Sequence, residues 1–247
     1  MEGKSARVEA AATIARRATA RGRAGTWAAA AVLWAAAQFV LLTAVAILLY
    51  PGGNESDETA AGYSFIRNFF SDLGATHSYS GRPNTGANVL FMVALVCVGL
   101  GLMAFGLAAR SLRRRDRRAR LAAVVAPLAA TMSGLAFVGI AATPWDLALV
   151  AHIVCVDAAF GFLLVFVLCL AVLEAAAGWA RRLILANLIY GVLLAAYVAL
   201  LFLGPRTGTD GGLIVQVVAQ KAIVYASILN LGWQAVGYLQ HCRHAAR

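Results

Sequence analysis

Asp72, His77, Asp146 and His152 are the residues whose types suit hydrolytic chemistry. Two carboxylates and two imidazoles can hold a metal that activates water, or act as a general acid–base set. Their spacing is scattered and matches no metal motif, so no bound metal is expected. Ser133 and His152 offer a serine–histidine dyad, supported by nothing beyond Ser133-Gly134. Lys221 and Asp157 lie in long apolar stretches, where a charge faces the bundle interior and pairs. They form the expected intramembrane charge pair, structural or titrating. Gln216, Gln220, Ser227, Asn230 and Gln234 follow spacings of 4, 7, 3 and 4, which puts them on one helix face. Tyr225 is one turn beyond Lys221, and Thr131 and Ser133 add hydroxyls. Polar groups of this kind commonly bind helices together. A lysine in a last span also suits a retinal adduct, but six spans and no other retinal feature argue against it. The sequence has no phosphate-cradling loop, dinucleotide fingerprint or haem-spaced histidine pair, and no cofactor is expected.

These side chains have to be positioned by membrane helices. Hydrophobic residues make up 62% of the 247 residues and charged ones 13%, with a mean hydropathy of +0.77. A soluble fold of this size cannot hide so much apolar surface. A span needs about 20 apolar residues, and six stretches qualify: 27–50, 87–109, 121–142, 147–173, 183–203 and 213–239. Runs of this length exclude porin-type strands. The expected fold is all-α, a polytopic bundle of six transmembrane helices. Residues 1–26 and 240–247 flank the domain at 27–239 as tails.

Orientation follows the basic residues. Seventeen of the 21 fall in the N-terminal tail (Lys4, Arg7, Arg16, Arg17, Arg21, Arg23), the second link (Arg110 to Arg120), the fourth link (Arg181, Arg182) and the C-terminal tail (Arg243, Arg247). Arg67, Arg82 and Arg206 fall on the other side. Both termini are therefore expected in the cytoplasm. Trp27, Trp179 and Tyr238 mark that interface, and Tyr50 and Trp145 the opposite one. The net charge of +10 then reflects topology and contact with anionic lipid headgroups. The arginine run at 113–120 has no interleaved aromatics and does not read as a nucleic-acid site. The Ala/Arg-rich tail has the look of a transit peptide, but a retained cytoplasmic flank explains it. Cys97, Cys155, Cys169 and Cys242 avoid the outer loops, so no exported disulfide is expected.

One link is long. Residues 51–86 form an outer loop of 36 residues, a length that usually carries function. Residues 51–62 read as a mobile connector containing the sequon Asn54-Glu55-Ser56. Residues 63–74 read as a short amphipathic helix, capped by Ser64 and Gly74, lying in the interface or closing over the bundle as a lid. Phe65, Ile66, Phe69, Phe70 and Leu73 would share one face, and Arg67, Asn68, Ser71 and Asp72 the other. His77, Asn84 and Asn88 follow. At 1.5 Å per residue, Lys221 sits about 12 Å below the outer end of span six and Asp157 about 16 Å below Asp146. Asp157 is thus the expected counter-ion by depth. His152, about 9 Å down, is expected to meet Asp72, His77, Asn88 and Asp146.

Asn68-Phe69-Phe70-Ser71-Asp72-Leu73-Gly74 followed by Phe91 resembles the (I/F)-S-(D/E)-x-G … F signature between spans one and two of certain six-helix families. These are the domain of unknown function 998 family and its relatives around the damage-regulated autophagy modulators. Thr143-Pro144-Trp145-Asp146 and His152 resemble the former family's P-x-D … H segment at the head of span four. The resemblance implies six helices and a long first outer loop, without an assigned activity. The prokaryotic family places the chain in a plasma (inner) membrane, while the eukaryotic relatives are linked to lysosomal or Golgi membranes and to remodelling of lipid anchors. A looser similarity is to intramembrane hydrolases with Ser, Asp and three His ligands. This chain departs from them, because His241 and His244 lie beyond the last span with two residues between.

Three functions stay open. The first is a non-enzymatic protein that binds lipid or organises the membrane. The second is an outer-face hydrolase or transferase acting on lipid through Asp72, His77, Asp146 and His152. The third is a small proton-coupled transporter using Asp157 and Lys221. The scattered candidate set favours the first, with membrane lipid as partner.

Overall fold

The computed structural model describes residues 2–112 and 116–245, with side chains over 23–112 and 116–241. Arg113, Arg114, Arg115 and Arg247 lie outside the described residues. So do the side chains of Lys4, Arg7, Arg16, Arg17, Arg21, Cys242, Arg243 and His244.

The six expected spans are helices: α1 Glu2–Leu49, α2 Thr85–Ala109, α3 Arg117–Ala142, α4 Trp145–Ala177, α5 Arg181–Leu203 and α6 Asp210–Ala245. All six are long and apolar enough to cross a membrane. The chain is an integral, multi-pass membrane protein. Residues 2–26, expected as a separate tail, continue the first span as one helix. Local chemistry sets the ends. Asp116 Oδ2 accepts from the Arg118 and Ala119 N–H groups at the start of α3, and Gly178 closes α4 in the left-handed conformation at φ 73°. Pro127 inside α3 donates no backbone bond, and Thr131 Oγ1 donates to its carbonyl.

Each helix packs against its neighbours in sequence, most closely along α1–α4, and α6 closes the ring against α1. Small residues make the close approaches. At the α2–α3 crossing, a Cβ on Gly99 would stand 2.4 Å from the Gly134 carbonyl oxygen, and one on Gly134 2.5 Å from that of Gly99. Leu48, Val150, Val192, Leu203 and Leu229 are exposed around the outside, as a lipid-facing surface requires. Within, Phe105, Phe166, Leu170 and Tyr238 form one apolar core. Phe39, Phe70, Leu73 and Phe91 form another at the opposite end.

The 51–62 connector is ordered. Strands β1 Gly52–Asn54 and β2 Asp57–Ala61 form an antiparallel hairpin. Asn54 Oδ1 accepts from the Ser56 N–H, the Ser56 hydroxyl and the Asp57 N–H, which fixes the turn. Gly53, at φ 83°, lies so close to Tyr79 and Ser80 that a Cβ would meet the Ser80 nitrogen at 2.5 Å. The sequon asparagine is buried, its Oδ1 held in the turn.

The 63–74 segment is not one helix. A single turn closes when the Asn68 N–H donates to the Ser64 carbonyl, and a 3-10 turn follows at Phe70–Gly74. Phe69 between them is extended (ψ 158°). The carbonyls of Asn68 and Phe69 accept from the Tyr63 hydroxyl, at 3.0 and 2.9 Å, and that of Phe69 also takes the Asp72 N–H of the 3-10 turn. The Asn68 carbonyl also accepts from Lys221 Nζ. Tertiary partners thus break the helix. Phe70 and Leu73 are buried, whereas Phe65 and Ile66 are exposed. Together with the hairpin these turns make a cap over one end of the bundle.

Because the α2–α3 contact is backbone on backbone, Gly99→Ala or Gly134→Ala forces the helices apart. The expected cost is about 1–3 kcal/mol, read as a lower melting temperature of the purified protein. Gly208→Ala, with open space at its Cβ, is the control and leaves it unchanged.

Candidate functional site

The most heavily bonded polar group in the cap is Asn68, which is 0% exposed. Its Oδ1 accepts from the Ser64 N–H, and its Nδ2 donates to the Gly53 carbonyl (3.0 Å) and to Asp72 Oδ2 (2.9 Å). Asp72 Oδ2 also accepts from the Phe69 N–H, so its carboxyl sits at the start of the 3-10 turn it caps. The Asn68 carbonyl receives the ammonium of Lys221. Asn68 thereby bridges two buried ionisable groups, Asp72 (2% exposed) and Lys221 (3% exposed).

Lys221 is further enclosed by aromatic rings. Its Nζ lies 5.2 Å from the Tyr63 centroid, 5.1 Å from Phe65 and 5.2 Å from Phe70. The negative faces of such rings stabilise an ammonium that has lost its water. One residue before it, Gln220 Oε1 accepts from the Phe70 N–H (2.8 Å). At the rim, Arg67 forms a bidentate pair with Asp210 (3.0 and 3.2 Å) at the head of α6. Three contacts therefore tie the cap to α6.

The opposite edge of the cap is tied to α2 and α4. Asn84 Nδ2 donates to the carbonyls of Asp72, Leu73 and Ala75, and Asn88 Nδ2 to that of Gly74. Asp146 accepts from the Thr76 N–H, the Thr76 hydroxyl and the His77 N–H. The start of α4 is broken at Ala148 (φ −144°, ψ 53°), so Asp146 sits on an initial turn that faces the cap. Trp145 stacks on Tyr79 with ring centroids 4.8 Å apart.

The four hydrolytic candidates are thus divided. Asp72 lies under the cap. Asp146 meets His77 through the latter's backbone, and the His77 ring turns to the Thr76 hydroxyl. His152 Nδ1 donates to the Thr143 carbonyl (2.7 Å), pinning α4 to the end of α3. Among the described residues no three His, Cys, Asp or Glu side chains converge as a metal set. Ser133 Oγ donates to the Ala159 carbonyl as a bond between helices, not toward His152.

The expected Asp157–Lys221 pair does not form. Within 4.0 Å, the ion pair among the described residues is Arg67–Asp210. Lys221 meets the cap because the first loop descends into the mouth of the bundle to its level. Asp157 is only partly buried, on the side where its charge reaches Tyr197. The α6 stripe is divided among partners. Gln216 donates to Leu200 and Pro205 carbonyls, Gln220 holds the cap, and Ser227 bonds with Tyr190. Asn230 and Gln234 join Asn187, the Leu183 carbonyl and the buried Glu174 in a separate polar cluster. Sequence reasoning missed Glu174 and Asn187. The available signal was their position at the edges of apolar runs on adjacent spans.

Between cap and cluster lies a narrow apolar crevice of about 100 Å³, part of it open to the exterior. Phe39, Phe91, Leu95, Phe137, Phe160, Leu163 and Val224 wall it, and Phe70, Ser71 and Gln220 roof it.

Burial pushes the Asp72 carboxyl up to about 7, despite bonds from Asn68 and Phe69 and the charge of Lys221. The folded protein then binds a proton that the unfolded chain releases near pH 4. Stability from this group is complete below pH 4 and is lost as the pH rises through about 7. Melting temperature is expected to fall over that window, with Asp72→Asn removing the fall. Asn68→Ala takes one donor from Asp72 and one from the Gly53 carbonyl at once. It is expected to cost about 2–4 kcal/mol, seen as a lower melting temperature and faster proteolysis in residues 51–84.

A Cβ on Gly74 would meet the Phe91 ring at 2.7 Å, so the glycine and phenylalanine of the signature are one packing contact. Residues 56–237 match the family described as protein of unknown function (DUF998), a match that takes in most of the cap and α2 through most of α6. No curated protein and no solved structure matches the chain. The matched segment covers well over half of the sequence and contains the cap-forming motif, and the chain belongs to the DUF998 family.

Proposed function

We propose that this protein holds the acyl chain of a membrane lipid in the crevice beneath its cap, without catalysis. The observation that carries the reading is the crevice itself. Side chains of α1, α2, α3, α4 and α6 wall it with apolar groups, and the roof offers the polar edges of Ser71 and Gln220. Such a space rejects ions and suits an apolar chain ending near a polar group. The non-catalytic part is supported by the partners of the candidate acids and bases. Asp72, Asp146 and His152 each hold backbone groups of the cap or of adjoining helix ends.

The basic residues support termini in the cytoplasm and the cap on the outer face, and the family resemblance supports a prokaryotic plasma membrane as the site. Anionic headgroups at the basic end fit the same charge distribution. The likeness to the damage-regulated autophagy modulators rests on the cap signature and the helix number.

Ala36→Phe and Val98→Phe place a ring in the crevice. Each is expected to lower the fraction of purified protein carrying tightly bound lipid about tenfold in native mass spectrometry, with the helical circular dichroism unchanged. Equal lipid occupancy in a folded variant contradicts the reading. For orientation, a fluorescent protein fused after Arg247 is expected to fluoresce and a phosphatase inserted after Ser80 to be active; the reverse pattern inverts the topology.

A further inference from the structure

We propose that Glu174 binds a small monovalent cation, a proton or an alkali-metal ion, inside the bundle near its basic end. Glu174 lies in the last turn of α4 and is 0% exposed. Among the described residues no lysine, arginine or histidine comes within 4.0 Å of its carboxylate. The following Arg181 and Arg182 are exposed.

The neighbouring amides form a directed chain. Gln234 Nε2 donates to Asn230 Oδ1 (3.4 Å), Asn230 Nδ2 to Asn187 Oδ1 (3.0 Å), and Asn187 Nδ2 to Glu174 Oε2 (3.5 Å). Gln234 Nε2 and Asn187 Nδ2 also serve the Leu183 and Val167 carbonyls. Two buried oxygens are left with no donor, Glu174 Oε1 and Gln234 Oε1. Both side chains are 0% exposed.

The local field is negative for two further reasons. Glu174 sits at the negative end of the α4 dipole, where cations are favoured. An unpaired carboxylate in a low-dielectric interior costs far more than the one weak amide bond returns. A positive charge on Oε1 removes the defect at the carboxylate, and among the described residues no basic side chain supplies it. Other titratable groups nearby are engaged. Tyr190 of α5 bonds with Ser227, Tyr238 of α6 with Ser111 and the Ala108 carbonyl, and His241 lies against the Trp179 ring. Cys169 is on α4 itself, and Arg110 is on the turn that packs against it.

The site is independent of the lipid crevice, and its test reads neither lipid nor transport. Full-length Asp72→Asn protein, which lacks the pH response of the cap, is melted in choline buffer. NaCl or KCl is then titrated in one series and pH in another. Trp179, whose backbone N–H donates to the Glu174 backbone carbonyl, reports locally by fluorescence once the other four tryptophans are replaced by phenylalanine. The expected result is a melting temperature that moves with one variable: alkali-ion concentration identifies an alkali ion, and pH alone a proton. Adding Glu174→Gln is expected to abolish that movement. The proposal is overturned if the parent protein responds to neither variable, or if Glu174→Gln retains the response. Should Glu174→Gln not fold, Asn187→Ala removes the amide that donates to Oε2 and keeps the carboxylate. It must shift the midpoint of the response about tenfold, and an unchanged midpoint also overturns the proposal.

Discussion

An ammonium buried among membrane helices must find oxygen within reach, and Lys221 finds it in the backbone of the first loop. Much of the cap end follows from that requirement. The carbonyl of Asn68 is free to accept it because Phe69 is extended and the local helix is interrupted. The interruption exposes further backbone groups, which Asp72, Tyr63 and Gln220 satisfy. Burying each polar group without these partners would cost several kcal/mol. The cap is therefore all-or-none in its bonding. The short motif around Asp72 is the part of the chain that meets most of these demands.

The rest of the polar inventory has the same character. Gln38 Nε2 joins α1 to the Ala94 carbonyl of α2, Ser133 joins α3 to α4, and Asn187 joins α4 to α6. In lipid the hydrophobic effect gives helices little reason to associate, so close packing of small residues and such bonds set the arrangement. The Gly99–Gly134 approach and the amide contacts are two forms of one solution.

The presence of six spans was legible because a bilayer fixes the length of an apolar run. α3 starts four residues before its expected span, and α4 ends four residues after, as helices continue past the hydrocarbon edge. The partner of Lys221 was not legible. Depth counted along straight helices pointed to Asp157, and nothing local says that a loop will descend into the bundle. The 63–74 segment shows a helix pattern, and tertiary acceptors override it at Phe69. Glu174 escaped notice because it falls just past the last strongly apolar residue, Leu173, where a charge ordinarily reaches the headgroups. Only the packing of α5 and α6 over it turns an interfacial acid into a buried one.

The order of the chain adds a constraint on how the protein is made. The first long loop leaves the ribosome early, yet Asp210, Gln220 and Lys221, which hold it from one side, belong to the last of the six helices. Helices that pack on their sequence neighbours can join the bilayer in turn, but the loop stays unsealed until synthesis is nearly finished. Closure of the cap thus marks completed insertion. A chain stalled or cut before α6 would lack the contacts from Asp210, Gln220 and Lys221 and leave that side of the loop open.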